Sequence, residues 1–186
     1  YEVTLDPING TLFYRDGLKI FDCILTIRQD GRFVAVADYI PHSGLFYLGV
    51  EGEGVFTTTV VDMQAGKPWQ PYSLPYNPTR VLFGKHAAVE QAQRLKAAGF
   101  TIIDLIEDYQ PSPQWSLTIN SILTGGVCGY IKNSSHFIDW GALAWFVNLA
   151  GGKWNDPTFD SGTGKGSVIV ATSPIIYDQI KTILTV

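Results

Sequence analysis

The sequence predicts a layered α/β protein in which an antiparallel meander is followed by a mixed α/β layer. Three observations predict it. Paired apolar runs in the early part are separated by short turn signals, strands alternate with helices from Arg80 onward, and glycines stand where helices should stop. The 186 residues are 46% hydrophobic and 16% charged, which suits one folded region with a sizeable core.

The chain is β-prone and alternating over residues 1–5, until Pro7 and Gly10 break the pattern. Residues 21–28 and 32–39 read as strands joined through Gln29-Asp30-Gly31, Asp-Gly being a strong hairpin signal. Residues 45–50 and 55–58 repeat the arrangement around Glu51-Gly52-Glu53-Gly54, which completes a meander. Residues 62–79 are rich in proline and polar groups and read as a loop or connection. Beyond them, 81–83, 100–105, 127–131 and 167–171 read as strands. Helices are expected over 87–98, 115–124, 138–150 and 174–184, the last with Pro174 in its first turn. The whole of 1–186 is thus expected to be one region, with 1–61 its antiparallel part and 80–186 its α/β part.

The formal net charge is −4 and no run of Lys or Arg occurs, which argues against nucleic acid as a partner. No window approaches the roughly 20 unbroken apolar residues of a membrane helix. Cys23 and Cys128 lie far apart without CxxC spacing, so they are expected to be buried free thiols in a reducing, cytoplasmic setting. Asn9-Gly10-Thr11 and Asn133-Ser134-Ser135 match the glycosylation sequon, which matters only in a secreted protein. The first residue is Tyr1 and a strand is expected almost at once, so sequence upstream is expected, removed by processing or not included, with a targeting segment left open.

Two acidic positions stand where a side chain can meet a ligand. In Asp6-Pro7-Ile8-Asn9-Gly10-Thr11 a strand ends on a carboxylate, and the turn beyond exposes N–H groups able to hold an anion. A plain turn would use the same residue types. Asp139 stands beside the start of the helix expected over 138–150, whose apolar face is Ala142, Leu143, Phe146, Val147 and Ala150. An N-cap or first-turn acid explains it equally.

Together, Asp6 to Thr11 and Asp139-Trp140-Gly141-Ala142, running on to Ala150-Gly151-Gly152, resemble the two signature blocks of the inositol monophosphatase family of metal-dependent sugar-phosphate phosphatases. Gly125-Gly126 and Tyr130 fall at matching positions without gaps. The resemblance implies a sugar-phosphatase-like sandwich lacking its N-terminal helices. It covers nearly all of this chain and about the last two thirds of a typical member. It further implies that Asp6, the Ile8 carbonyl and Asp139 are Mg²⁺ ligands, with Asn9 standing where the family has a second metal-binding Asp. Gly10 and Thr11 would contact phosphate, and Thr11 would orient the attacking water. Lys132 and His136 would face the substrate. Asp6, Thr11 and Asp139 would then be the catalytic residues of an enzyme hydrolysing a small phosphomonoester: an inositol phosphate, a sugar phosphate or a nucleotide phosphate. A homodimer is expected because many relatives pair.

The departures from the pattern are physical. Asn9 removes one negative charge from a set meant for a hard cation. Lys132 replaces a Glu that contacts sugar hydroxyls, and Pro113-Gln114-Trp115 replaces a Gly-(Thr/Ser)-Ala turn. The family's upstream metal-binding Glu has no counterpart, and Glu2, four residues before Asp6 on one strand face, lies about 13 Å away from it. These departures support two alternatives: a catalytically impaired homologue that binds or scaffolds, and a truncated fragment of a complete phosphatase. The loop over 161–167 lacks the spacing of a phosphate-binding loop, with Phe159 and Gly166 at its required positions. His42, His86 and His136 show no metal-ligand spacing, and the five tryptophans are expected to pack in the core. Asn9-Gly10 is also prone to deamidation, which would restore an aspartate. Peptide mass analysis should show the mass gain of amide hydrolysis at Asn9, and an unchanged mass removes that route.

Overall fold

The computed structural model describes residues 1–75, 79–84, 89–104, 120–136, 140–155 and 165–185. They form two compact units, Tyr1–Ser73 and Leu74–Val186.

The first unit is an antiparallel meander of six strands, each paired with the next in sequence. They are β1 (Glu2–Asn9), β2 (Asp22–Gln29), β3 (Arg32–Ile40), β4 (Leu45–Val50), β5 (Gly54–Thr59) and β6 (Gln70–Pro71). The β2–β3 turn is the Asp30-Gly31 pair that the sequence signals. Both residues have positive φ, 51° and 79°, so the turn twists with the strands it joins. Alternation then sorts the side chains. Ile24, Val36, Ile40, Tyr47 and Val55 are buried on one face, and Asp22, Thr26 and Asp38 share it. On the other face Val3, Leu5 and Leu25 are exposed.

Four elements of this unit differ from the sequence expectation. β1 continues through Pro7 to Asn9, because an edge strand tolerates a residue without an N–H. A helical turn, α1 (Thr11–Arg15), follows it. Within the expected loop, α2 (Val60–Gln64) starts on Thr59, whose hydroxyl accepts the Asp62 N–H at 3.1 Å, and Gln70 and Pro71 add the short β6 to β5. A single cap and two strand residues are too short a signal to stand out in a polar segment.

The second unit contains β7 (Arg80–Phe83), α3 (Val89–Ala97), β8 (Thr101–Asp104), α4 (Asn120–Leu123) and β9 (Gly129–His136). These are followed by α5 (Gly141–Leu149), β10 (Lys153–Trp154), β11 (Lys165–Ala171) and α6 (Pro174–Thr185). Its sheet runs β10-β11-β9-β7-β8. β7 is flanked by β8 and β9, parallel to it on opposite sides, so the strand order reverses around β7. Val81, Phe83, Leu95, Ile131, Ile176 and Ile180 form one core cluster. α5 buries Gly141, Ala142, Leu143, Ala144, Phe146 and Val147, a helix apolar on nearly every side. Gly99 and Gly151, both at φ 94°, follow α3 and α5 as the sequence predicts. β9 extends past the expected strand, and β10 is an addition to it. Among the described residues no helix is long and apolar enough to cross a membrane. Both thiols are free; Cys128 is buried, whereas Cys23 is only partly so.

Gly152 follows α5 where space is scarce. A Cβ there would lie 2.5 Å from the Ala171 carbonyl oxygen and 2.6 Å from a Val147 methyl. Gly152→Ala should therefore destabilise by about 1–3 kcal/mol, read from urea unfolding followed by tryptophan fluorescence. Cys128 donates its S–H to the Arg80 carbonyl at 3.1 Å, and burial pushes its pKa from 9.0 up to about 11. The neutral thiol is thus favoured by folding. Its contribution is whole below pH 9 and lost as pH rises through 11. Stability measured across that window should fall more steeply in the unaltered chain than in Cys128→Ala, by on the order of 2 kcal/mol.

Candidate active site

The turn after β1 is built by its own side chains. Pro7 offers no N–H, and β1 slips against β2 between Asp6 and Asn9: Asp6 pairs with Ile24, then Asn9 with Asp22. Three side-chain hydrogen bonds hold the irregular stretch. The Ile8 N–H donates to Asp6 Oδ1 at 3.1 Å, Thr11 Oγ1 donates to the Ile8 carbonyl at 2.8 Å, and the Cys23 thiol donates to the Pro7 carbonyl at 2.9 Å. Gly10, at φ 86°, turns the chain into α1, and its carbonyl accepts from Phe13 and Tyr14. The N–H groups of Gly10 and Thr11 come ahead of those first helical bonds.

Asp6, Ile8, Asn9, Gly10 and Thr11 are thereby gathered at one sheet corner. Asp6 is half-buried and Thr11 exposed, whereas Asn9 is 7% exposed and its Nδ2 has no hydrogen-bond partner. The donor set fits Mg²⁺: one carboxylate and one backbone carbonyl are hard oxygens, and that ion keeps waters for its remaining positions. Asn9 adds an amide oxygen without charge. A carboxylate 4 Å from a cation gains about 4 kcal/mol per unit charge at an effective dielectric near 20, so the set is weaker than one with two acids. Among the described residues no three His, Cys, Asp or Glu side chains come together as a metal-binding group. Glu2 is engaged elsewhere, 3.1 Å from Arg28.

In the second unit Lys132 sits just beyond the point where β9 leaves β7, at the carboxyl ends of the parallel strands. Gly84 closes β7 there, its N–H bonded to the Ile131 carbonyl at 2.9 Å. A Cβ on Gly84 would lie 2.8 Å from the Tyr130 hydroxyl and 3.0 Å from Lys132 Cγ, so both side chains lie against it. Asn133 Nδ2 donates to Gln91 Oε1 at 2.9 Å and ties β9 to α3. Where parallel strand order reverses, the carboxyl-end crevice is the usual ligand position of an open α/β sheet. His136 ends β9. Asp139, Pro113, Gln114, Trp115, His86 and residues 156–164 lie outside the described residues. α5 itself begins at Gly141 after Trp140, later than the sequence predicts.

Sequence reasoning passed over Asp22 and Asp38, both fully buried. Period-2 alternation held the signal: Asp22 falls in phase with Ile24 and Thr26, on the face meant for the core.

No protein-family model matches the sequence, and no curated protein sequence does. Solved structures do match. SuhB of Mycobacterium tuberculosis is 18% identical with a TM-score of 0.69, over 98% of this chain and 71% of that one. An inositol monophosphatase from Zymomonas mobilis is 16% identical with a TM-score of 0.72, over 99% of this chain and 70% of its own. The Thermotoga maritima IMPase is 17% identical with a TM-score of 0.67, over 98% and 69%. Similarity over nearly the whole length, in both sheets, settles the architecture: this chain has the fold of the inositol monophosphatases.

Proposed function

We propose that this chain hydrolyses a small phosphomonoester with the help of Mg²⁺ at the Asp6–Thr11 turn. The observation that carries the reading is the closure of that turn onto Ile8 from both sides, by Asp6 Oδ1 and by Thr11 Oγ1. Asp6, the Ile8 carbonyl, Asn9 and Asp139 are the residues that would hold the ion. When bound, Mg²⁺ polarises the phosphoryl group and lowers the pKa of a coordinated water. The chain's own groups do the rest. The Thr11 hydroxyl donates its single hydrogen bond to the Ile8 carbonyl, so its lone pairs are left to accept a hydrogen bond from a water and orient it. The N–H groups of Gly10 and Thr11 offer hydrogen bonds to phosphoryl oxygens. Lys132 and His136 are the proposed substrate contacts of the second unit. A small phosphorylated partner, a cytoplasmic setting and a possible homodimer complete the reading.

Asn9 favours a second reading, in which the chain binds a phosphorylated ligand without turnover. A phosphatase assay on sugar phosphates, nucleotide bisphosphates and fructose bisphosphate, with and without Mg²⁺, separates the two. Turnover that stops on chelation and returns with Mg²⁺ is the expected result; ligand binding with no metal-dependent turnover establishes the second reading. Thr11→Ala should lower kcat about 100-fold with little change in Tm, while Thr11→Ser retains most of it. Equal rates in all three chains would remove Thr11 from the chemistry.

A further inference from the structure

The slip in β1 gives the turn a neighbour that its own sequence lacks. In an unbroken ladder Ile8 would stand opposite Asp22; the bulge puts Asn9 there instead. Directly opposed residues of an antiparallel pair project to the same side, within about 5.5 Å at Cβ. Asp22 is fully buried and Asn9 93% so, being 7% exposed. Asp6 pairs with Ile24, two residues along β2 from Asp22, so all three belong to one sheet face.

A second observation points to a ligand. Asn9 Nδ2 is buried without a partner, although a carboxylate-bearing residue stands across from it. A half-turn of that amide about its last bond puts Oδ1 in the same place, a hard oxygen beside two carboxylates. Resting on the Mg²⁺ reading above, we propose that Asp22 is a ligand of the cation at this turn. It supplies from β2 the negative charge that Asn9 does not bring. Within the first unit the set is then Asp6, the Ile8 carbonyl, the Asn9 amide oxygen and Asp22: two carboxylates and two neutral oxygens, suited to a divalent ion whose remaining positions are left to Asp139 and waters. Asp38 lies one pair further into the sheet, opposite Ile24, and stays outside the set.

The test moves the charge rather than merely removing it. Mn²⁺ and Mg²⁺ binding is measured by titration calorimetry on the unaltered chain, Asp22→Asn, Asn9→Asp and the double variant. Asp22→Asn should weaken Kd at least about tenfold, Asn9→Asp should tighten it, and the double variant should return to near the unaltered value. The metal-free Tm of each chain checks that it is folded. For the case where Asp22→Asn does not fold, the side-chain carboxyl carbon resonance of Asp22 in the unaltered chain is followed by NMR. It should move on Mg²⁺ saturation together with that of Asp6. A stationary Asp22 resonance, or a Kd unchanged in Asp22→Asn but lost in Asp6→Asn, overturns this proposal and leaves the metal reading standing. No ion binding by the unaltered chain overturns both.

Discussion

Pro7 cannot donate to a ladder hydrogen bond, and that one missing N–H organises the corner of the sheet on which the candidate chemistry stands. β1 slips against β2 beyond Asp6, and side chains take up groups of the irregular stretch: Ile8 N–H by Asp6, Ile8 carbonyl by Thr11, Pro7 carbonyl by Cys23. Each bond is worth only about 1 kcal/mol net, but together they fix a turn that strand geometry alone would leave free. Asp6 and Thr11 are thus structural members of the turn and its exposed polar groups at once. A residue with both duties is positioned by its own hydrogen bond, which is how a short motif can preorganise a site without help from a distance.

The second unit solves a different problem. With β8 and β9 parallel to β7 on opposite sides, the strand order reverses at β7. Gly84 stands at the end of β7 where the Tyr130 hydroxyl and the Lys132 stem already occupy the space a side chain would need. Lys132 stands just beyond the last β9 residue paired with β7, in a protein whose formal net charge is −4. At the far side of the sheet, Gly152 lets the end of α5 approach β11 to within carbonyl contact, and the buried α5 is anchored there.

Charge placement in the first unit departs from what its strand pattern alone would suggest. Asn9 is neutral where the motif it resembles has an acid, while Asp22 and Asp38 put two carboxylates on a sheet face built for apolar residues. Burying a carboxylate costs several kcal/mol unless a counter-charge, hydrogen bonds or a proton offsets it. Such residues persist at inward positions when something specific is bound or held there. The identity of the fold, at 16–18% identity, therefore leaves the composition of the site to be read from this chain's own residues.

Much of the molecule is legible before any coordinates. The Asp30-Gly31 turn requires two positive φ values that this pair adopts at low cost, and it sets the register of β2 on β3 and the meander that follows. The stops at Gly99 and Gly151, the start at Pro174 and the apolar run of α5 are likewise local, since each depends on neighbours within one or two turns. The Asp6–Thr11 motif is local too, six consecutive residues whose resemblance to a phosphatase signature can be read without any long-range contact. What the chain could not announce is whatever depends on which strand lies beside which. That Pro7 sits on an edge, that the bulge exchanges Ile8 for Asn9 opposite Asp22, and that Asp22 and Asp38 face inward all follow from pairing between residues far apart in sequence. Composition determines which turns and helices are affordable locally; only the closed sheet decides which carboxylates share a face, because cross-strand distance is a property of register and not of sequence separation.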